Sequence, residues 1–312
     1  MGVASFLSYA FPFSYMLWFG ILIIGICSSM VFFSTVAIGI FIVLYALDMI
    51  RIMPLLERLE RFVSHFFTAD IERIKTNIKK SLTIKVPDTV KEKARTTPLI
   101  YIWVPHGLFS TSLYYHSISS HTDMPAELKP ISPVIHHATR YIPFASEVFP
   151  YYNITYSDYN SMLRALKEGK SISVALGGVR EIAENVSGEI RTTLASRAGI
   201  YRLAIETGAA LVPVISYGEN DLFKMSDHWL VRALNTVLRP LGAVAPIPTY
   251  ETARTWLNIA KEPHPIGSHT VLGDPVIPSG TIENTRVQFI DALKTLYSET
   301  RPAHYRSELV FV

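Results

Sequence analysis

The stretch Arg197–Phe223, RAGIYRLAIETGAALVPVISYGENDLF, reads in order as a helix, a turn and a buried strand. Apolar residues recur at helical spacing over Ala195–Glu206, and they are followed by Gly208, a residue type that often ends helices. Ala210–Ser216 is then a nearly continuous apolar run, which is typical of a strand buried on both faces. A helix that leads into such a strand is the repeating unit of α/β proteins, in which helices cover a mostly parallel sheet.

Strand-like and helix-like segments alternate on both sides of this stretch. After a break at Thr96-Thr97-Pro98, apolar runs predict strands at Leu99–Val104, Ile131–Ile135, Ser171–Leu176, Thr270–Leu272 and Val276–Ile277. Helical spacing predicts helices at Phe109–Ile118, Ser157–Lys167, His228–Leu238 and Asn284–Glu299. Residues 240–267 are rich in proline and weakly patterned, which predicts a loop that covers a site. We therefore predict that residues 98–312 form one layered α/β domain with a mixed, largely parallel sheet.

The first part of the chain is uncharged. Residues 1–47 contain no Asp, Glu, Lys, Arg or His. As one helix, the apolar run 6–47 would span about 63 Å, roughly twice the hydrocarbon core of a bilayer. Two crossings fit better, with a break at the polar Cys27-Ser28-Ser29. We therefore predict a transmembrane hairpin anchor in residues 1–50, with helices near 7–26 and 30–48.

A basic segment follows the predicted anchor. Residues 48–97 hold 11 basic and 7 acidic residues, and positive charge beside a membrane segment marks the cytoplasmic side. From Pro54 onward, apolar residues recur at roughly helical spacing. This pattern predicts either a surface helix packed on the domain or a helix that lies in the membrane interface. Residues 51–97 are therefore assigned as a juxtamembrane amphipathic and basic segment, with the domain after it in the cytosol.

Several function classes are excluded by composition and motifs. The net charge of +3 is too weak to indicate nucleic-acid binding, and the single cysteine excludes a disulfide framework or a cysteine-based zinc site. The sequence has no G-x-S-x-G, P-loop, G-x-G-x-x-G or H-E-x-x-H motif. The adjacent His136 and His137 have no carboxylate at metal-ligand spacing, so we predict no metal site.

Glycines and polar residues follow three of the predicted strands. His106-Gly107 comes after Leu99–Val104, Gly177-Gly178 with Arg180 and Glu181 after Ser171–Leu176, and Glu219-Asn220 after Ala210–Ser216. Open α/β sheets bind ligands at the carboxyl ends of their strands, so these residues predict one site. A neutral imidazole can accept a proton from an alcohol near neutral pH, and a glycine turn can hold an anionic oxygen or a phosphate.

The same segments resemble the type-2 diacylglycerol acyltransferase family, which includes monoacylglycerol acyltransferases and wax-ester synthases. VPHG at 104–107 resembles the family's HPHG, and LGGVRE at 176–181 resembles its G-G-x-x-E. Residues 197–223 are the strongest match, similar to R-x-G-x-x-R-L-A followed by G-A-x-L-V-P-V and F-G-E-N. HTVLGDPVIP at 269–278 is similar to a late V-V-G-x-P-I segment. The chain departs from the family at Val104, which replaces the first motif histidine, and at Tyr217, which replaces phenylalanine.

The resemblance implies a glycerolipid-acyltransferase-like fold and transfer of a fatty acyl group from acyl-CoA to diacylglycerol. His106 would be the general base, and Glu181 or Glu219, in that order of preference, would orient it. Backbone N–H groups near Gly107 or Gly177-Gly178 would stabilise the oxyanion. The residues expected to bind the acyl-CoA co-substrate are Gly177, Gly178, Arg180, Arg197, Arg202, Glu219 and Asn220, with no metal or tightly bound cofactor.

The acceptor and several other properties are left open. The alternatives are a monoacylglycerol or fatty-alcohol acyltransferase, a lysophospholipid acyltransferase, and a non-catalytic hairpin protein of lipid droplets. Lysophospholipid enzymes use H-x-x-x-x-D, and Thr111 stands five positions after His106 where that aspartate would be. We expect the chain in the endoplasmic reticulum membrane or on lipid droplets, without nucleic acid, and leave the oligomeric state open, a homo-oligomer included.

Overall fold

The computed structural model describes residues 68–141, 152–183, 188–241, 244–305 and 309–311. The predicted hairpin, with helices near 7–26 and 30–48, lies outside these residues. Among the residues described, no helix is both long and apolar enough to cross a membrane.

Strands and helices alternate along the described chain. The strands are β1 Leu82–Lys85, β2 Leu99–Val104, β3 Ile131–Ile135, β4 Thr155–Tyr156, β5 Ser171–Val174, β6 Arg191–Thr192, β7 Ala210–Tyr217, β8 Ser268–Leu272 and β9 Val310–Phe311. The helices are α1 Thr68–Ser81, α2 Asp88–Ala94, α3 Thr111–Ile118, α4 Tyr159–Lys167, α5 Gly178–Ala183, α6 Ala198–Thr207, α7 Glu219–Leu222, α8 Trp229–Leu238, α9 Tyr250–Leu257 and α10 Ile282–Thr300.

Local chemistry explains several element boundaries. The Asp158 carboxylate accepts a hydrogen bond from the Ser161 N–H, and this cap begins α4. The hydroxyl of Thr281 begins α10 in the same way. Gly208 ends α6 in the left-handed conformation, at φ 70°, which glycine adopts without steric cost. These ends agree with the predicted helices to within about three residues, the uncertainty usual for helix boundaries.

One seven-stranded sheet organises the domain, in the order β1-β8-β7-β2-β5-β3-β4. β7, β2, β5, β3 and β4 are parallel to one another, whereas β8 is antiparallel to β7 and β1 is parallel to β8. The prediction of a mixed, largely parallel sheet is therefore confirmed. The register pairs Val104 with Ile215 and Ile102 with Val174. This brings the carboxyl ends of β2, β5 and β7 to the same edge of the sheet.

Both faces of the sheet are covered, so β2 is buried along its whole length. Ile100, Ile102 and Val104 pack in the same core as Tyr201 of α6 and Phe289 of α10. The alternate residues of β2 pack on the other face, in the core that includes Leu113 of α3. Period-two burial against two helix layers explains why the strand is apolar throughout.

Two sequence predictions need correction. Residues 240–267 do not form a patternless loop, because they include α9 and the short 3₁₀ turn Asn258–Ala260. The sheet also extends back beyond residue 98: β1 pairs in parallel with β8, from Leu82 opposite Ser268 to Lys85 opposite Val271. Part of the predicted juxtamembrane segment is therefore an edge strand of the domain. Its four-residue length gave no periodicity from which to predict it.

Candidate active site

His106 lies in the loop that joins β2 to α3. Its Nδ1 is 2.9 Å from the carbonyl oxygen of Gly107 and 3.3 Å from the hydroxyl of Ser110. A carbonyl oxygen can only accept, so Nδ1 carries the proton in this contact and Nε2 keeps a lone pair. Within the described residues, no protein group forms a hydrogen bond with Nε2. The ring is thus held by its own loop in the tautomer that can accept a proton.

The loop is also closed by its backbone. The N–H and the hydroxyl of Ser110 both donate to the carbonyl oxygen of His106, at 3.1 and 2.9 Å. Gly107 adopts φ 62°, in the left-handed region that favours glycine. His106 itself is half-buried. Burial lowers the pKa of its imidazole, and the hydrogen bond to Gly107 opposes that shift in part.

Glu181 binds the backbone of this loop rather than the imidazole. One carboxylate oxygen accepts from the His106 N–H at 3.2 Å, and the other accepts from the Thr193 N–H at 2.8 Å. The side chain is 4% exposed, and burial raises its pKa while the Thr193 N–H works against the shift. The predicted contact between Glu181 and the ring is therefore not formed. The carboxylate instead ties the His106 loop to the segment before α6.

Gly177 and Gly178 shape the turn from which Glu181 reaches back. A β-carbon on Gly177 would lie 1.7 Å from the carboxyl carbon of Glu181, and Gly178 adopts φ 52°. Only glycine at position 177 leaves room for the folded-back carboxylate. The pair therefore has a structural role that the sequence did not indicate, and its predicted role in binding an anionic oxygen stays a prediction.

Glu219 supports the helix that follows the His106 loop. Its carboxylate accepts from the Thr111 N–H at 2.5 Å, from the Ser112 N–H at 3.2 Å, and from the Ser112 hydroxyl. These N–H groups belong to the first two residues of α3, where a helix favours negative charge. Burial raises the pKa of Glu219 to about 7, although the hydrogen bonds from Ser112 and Thr111 favour the ionised form. Glu219 therefore does not orient the imidazole directly either.

The two carboxylates and His106 nevertheless form one cluster. A β-carbon on Gly107 would lie 2.7 Å from Cγ of Glu219, so that side chain packs directly on the loop. Asn220 is buried, and its amide donates to the carbonyl of Glu189 at 3.0 Å. Gly218, at φ 88°, donates its N–H to the Tyr305 hydroxyl at 2.8 Å. The residues after three strands thus meet at one edge of the sheet, as their positions indicated.

In the described part of the chain, no hydrogen bond joins Arg197 or Arg202 to this cluster. Arg197 is exposed at the residue before α6. Arg202 is exposed on α6, where the pKa of Glu206 is lowered by hydrogen bonds from Tyr159 and Lys167 and by the charge of Arg202. The side chain of Arg180 lies outside the described structure.

Sequence reasoning missed the donors that hold the two carboxylates. They are the N–H groups of Thr111, Ser112 and Thr193, with the hydroxyl of Ser112. One signal for α3 was present, because Ser110-Thr111-Ser112 before an apolar run is typical of a helix start. In the described part of the chain, no three His, Cys, Asp or Glu side chains are grouped so that they could hold a metal ion.

Comparison with known proteins defines the class. The family model described as "Diacylglycerol acyltransferase" matches residues 30–304, so the chain belongs to the diacylglycerol acyltransferase family. Human 2-acylglycerol O-acyltransferase 1 is 30% identical over 138 residues, 43% of this chain and 41% of the human protein. Diacylglycerol O-acyltransferase 2 of Dictyostelium discoideum is 28% identical over 218 residues, covering 64% of this chain and 65% of that protein.

Other relatives extend the range of acceptors. Human acyl-CoA wax alcohol acyltransferase 2 is 24% identical over 206 residues, covering 64% of this chain and 62% of its own. The chain thus spans less than two thirds of the length of these relatives. The solved structure of the 1-acyl-sn-glycerophosphate acyltransferase from Thermotoga maritima aligns with 74% of this chain and 79% of its own, at 14% identity and TM-score 0.43.

Proposed function

We propose that the chain is a membrane-bound, acyl-CoA-dependent O-acyltransferase that esterifies the free hydroxyl of diacylglycerol, with His106 as general base. The observation that carries this proposal is the geometry of the imidazole. Its Nδ1 is engaged by the Gly107 carbonyl at 2.9 Å, which leaves Nε2 ready to accept a proton. Membership of the diacylglycerol acyltransferase family supports the substrate class.

The reaction needs one proton acceptor and no covalent enzyme intermediate. Nε2 of His106 takes the hydroxyl proton as the alcohol oxygen attacks the thioester carbonyl carbon. The tetrahedral intermediate then collapses, the C–S bond breaks, and the coenzyme A thiolate takes the proton from the imidazolium. The products are the ester and free coenzyme A, and the neutral imidazole is restored. Burial favours this cycle, because it keeps the resting imidazole unprotonated.

The remaining site residues have supporting roles in this proposal. Glu181 and Glu219 act as positioning residues, because each binds backbone N–H groups at one end of the His106 loop. Backbone N–H groups near Gly107 or Gly177-Gly178 stabilise the oxyanion. The backbone N–H of His106 itself already donates to the Glu181 carboxylate. Arg180, Arg197 and Arg202 remain proposed contacts for the coenzyme A phosphates, since arginine binds phosphate through two parallel hydrogen bonds.

An acceptor panel tests the reaction. Full-length protein in lipid nanodiscs is given radiolabelled acyl-CoA with diacylglycerol, monoacylglycerol, fatty alcohol or lysophosphatidate. We expect ester formation on diacylglycerol to be fastest. Preference for monoacylglycerol or a fatty alcohol would contradict diacylglycerol as the acceptor but would keep the proposed reaction. Preference for lysophosphatidate, or no transfer to any acceptor by folded protein, would refute the proposed reaction.

Substitution of His106 tests the base. His106→Ala is expected to lower single-turnover rates by about 10²- to 10⁴-fold, the usual contribution of a general base. His65→Ala is the control, because His65 and Asp70 have the H-x-x-x-x-D spacing of the alternative class. It should retain most activity. A near-normal rate for the His106 variant, or a larger loss for the His65 variant, would show that the base is elsewhere.

The proposed location is the endoplasmic reticulum membrane or a lipid droplet, with the domain in the cytosol. The charge-free residues 1–47 and the basic residues after them support this orientation. Asn153-Ile154-Thr155 has the spacing of a glycosylation acceptor and is expected to stay unmodified. A glycan on Asn153 in cells would place the domain on the luminal side instead.

A further inference from the structure

Helix α8 carries large apolar side chains on its exposed side as well as on its buried side. Its polar residue Asn235 is 4% exposed, whereas Trp229 and Val237 are 64% and 66% exposed. At 3.6 residues per turn, Val231 and Asn235 share the seam that packs on the domain. Trp229, Leu230 and Val237 lie on another face, which points to solvent. An ordinary surface helix carries polar or charged side chains on its exposed side.

Hydrogen bonds fix this orientation. The Asn235 side-chain oxygen accepts from the Ala245 N–H at 2.7 Å, and its amide donates to the Met225 sulfur at 3.3 Å. Rotating α8 to bury its apolar face would break both contacts and leave the Ala245 N–H without its acceptor. A buried donor without a partner is costly, so the apolar face is held outward by the fold.

Charge on the flank of this face indicates the kind of partner. Arg232 and Arg239 are both exposed, and they lie seven residues apart on one side of the helix. Within the described residues, no ion pair joins either arginine to a carboxylate. An apolar face with tryptophan and leucine beside a row of cations is the pattern of a helix that lies in a membrane interface. It fits an anionic lipid surface, where each arginine is attracted to the headgroups.

Helix α9 exposes a second apolar stripe. Tyr250, Arg254 and Leu257 are exposed at positions i, i+4 and i+7, so they form one stripe. The segments that precede the two helices are paired, because the Thr249 N–H donates to the Lys224 carbonyl at 2.7 Å and the Ser226 N–H donates to the Ile247 carbonyl at 2.8 Å. We call the exposed residues Trp229, Leu230, Val237, Tyr250 and Leu257 the apolar rim.

The apolar rim is adjacent to the element that follows the charge-free part of the sequence. The amide of Asn77 in α1 donates to the Ile259 carbonyl at 2.8 Å, and Arg73 in α1 donates to the Ala260 carbonyl. The turn after α9 is therefore bound to α1. Since α1 begins at Thr68, about twenty residues after the uncharged run ends at Leu47, the rim lies beside the part of the domain nearest to that run in sequence.

Contacts between aromatic rings connect α9 with the His106 loop. Phe109, three residues after His106, meets the ring of Phe223 edge-on at 4.9 Å between centroids. Phe223 in turn stacks on Trp256 of α9 at 5.4 Å. Trp256, which precedes the rim residue Leu257 in α9, therefore lies in the same apolar cluster against which Phe109 of the His106 loop packs.

From these observations we propose that the apolar rim is a second membrane contact, which docks the domain flat on a phospholipid bilayer. α8 lies in the headgroup region, with Trp229 and Val237 in the acyl boundary and Arg232 and Arg239 at the anionic headgroups. The inference rests on the proposed function in taking the partner to be the membrane that holds the lipid acceptor. Docking presents the His106 loop to lipids in that membrane.

Fluorescence quenching by lipid tests the contact without any catalytic readout. Full-length protein with Cys27→Ser receives a single cysteine by Val237→Cys or Val287→Cys, and each is labelled with a small environment-sensitive fluorophore. Val287 is the matched control, because it is another exposed valine on a helix, α10. Both variants are reconstituted in phosphatidylcholine–phosphatidylserine vesicles, with or without bromine on the acyl chains near the headgroup. No acyl-CoA is present.

We expect brominated lipid to lower the fluorescence at position 237 several-fold and to leave position 287 nearly unchanged. Equal quenching at both positions, or none at 237, would overturn the proposal. So would protection of position 237 from aqueous iodide without quenching by brominated lipid, because that result would indicate a protein partner such as a second copy of this chain.

An activity measurement separates this proposal from the proposed function. Trp229→Glu combined with Val237→Glu is expected to raise the apparent KM for vesicle-embedded acceptor several-fold with a smaller effect on kcat, and Val287→Glu should change neither. Thermal melting in nanodiscs checks that each variant is folded. Lipid quenching without any acyl transfer would refute the function alone, whereas acyl transfer that is insensitive to both rim substitutions would refute docking.

Discussion

The carboxyl group of Glu181 occupies the space in which Gly177 would carry a side chain. A β-carbon on Gly177 would lie 1.7 Å from the carboxyl carbon and 2.2 Å from a carboxylate oxygen. The carboxylate can reach the N–H groups of His106 and Thr193 only because position 177 has no side chain. One glycine thus determines how the His106 loop is held.

Gly177→Ala should therefore act like the loss of Glu181. The methyl group displaces the carboxylate and leaves two buried N–H groups without an acceptor, which we expect to cost about 1–3 kcal/mol of unfolding free energy. Turnover should fall as well, because the loop is no longer held. Gly199→Ala is the control, since nothing lies within 4 Å of its added β-carbon. Denaturant titration and single-turnover rates check both variants, and equal effects of the two would contradict the role of Gly177.

Glu219→Gln should loosen the start of α3. Both carboxylate oxygens accept hydrogen bonds from the protein, and an amide can accept through only one of its two ends. Its NH₂ group would face an N–H donor, so we expect a loss of about 1–3 kcal/mol in unfolding free energy and a lower kcat/KM.

The control for this variant is Glu283→Gln. Glu283 is exposed and pairs only locally with Arg286, so its substitution should change stability by less than about 0.5 kcal/mol. Hydrogen exchange of the α3 amides gives a direct readout. Unchanged protection of Thr111 and Ser112 in Glu219→Gln would refute the capping role.

The pH dependence of activity should report the buried imidazole. Burial lowers the pKa of His106 from its ordinary value of 6.5, and the base must be neutral to accept a proton. We therefore expect kcat/KM to fall as the pH drops, with the midpoint of the acidic limb below 6.5. The measurement is kcat/KM for acyl-CoA as a function of pH, with the acceptor at a saturating concentration. A midpoint above 6.5 would contradict the assignment.

His116 should make the fold less stable in acid. Its ring is buried, hydrogen bonded to the Thr122 hydroxyl and stacked at 6.0 Å from Trp103, and burial lowers its pKa to about 3. Below about pH 6.5 the unfolded chain, with a histidine pKa near 6.5, binds a proton at this residue, whereas the folded chain does not. Stability from this group is therefore present above about pH 6.5 and lost as the pH falls toward 3, by about 1 kcal/mol per pH unit.

Urea unfolding at several values between pH 7 and pH 5 checks this prediction. Because His264 is also buried and burial lowers its pKa as well, the comparison is between the slopes of stability against pH. His116→Phe should have a shallower dependence on pH than the natural chain, whatever its absolute stability. Identical slopes would show that His116 contributes nothing.

Much of the sheet could be predicted because its central strands can be recognised from short stretches of sequence. β2 and β7 are apolar runs bounded by proline or glycine, and burial on both faces is the reason for that composition. The antiparallel direction of β8 could not be predicted, because it depends on pairing between Tyr217 and His269, which are 52 positions apart. The order of strands likewise depends on distant partners rather than on local pattern.

The site was predictable in place but not in detail. Polar residues after three strands indicated that His106, Glu181 and Glu219 lie together, because strand ends share an edge. The atoms that these side chains bind could not be predicted, since a motif does not show whether a carboxylate binds a ring nitrogen or a backbone N–H. The orientation of α8 could not be predicted either, because its apolar residues lie on more than one side and the buried Val231 and Asn235 determine which side packs on the domain.

The hydrogen bond from Gly218 to Tyr305 has a genetic consequence. The phenol of Tyr305 holds the turn that begins α7, and its ring lies edge-on to Tyr217 at 5.2 Å between centroids. A premature stop codon or frameshift ahead of codon 305 would remove this support from beneath Glu219, although every residue of the His106 loop would still be translated. Late truncating alleles should therefore be classed with missense changes at the site rather than as harmless losses of a tail.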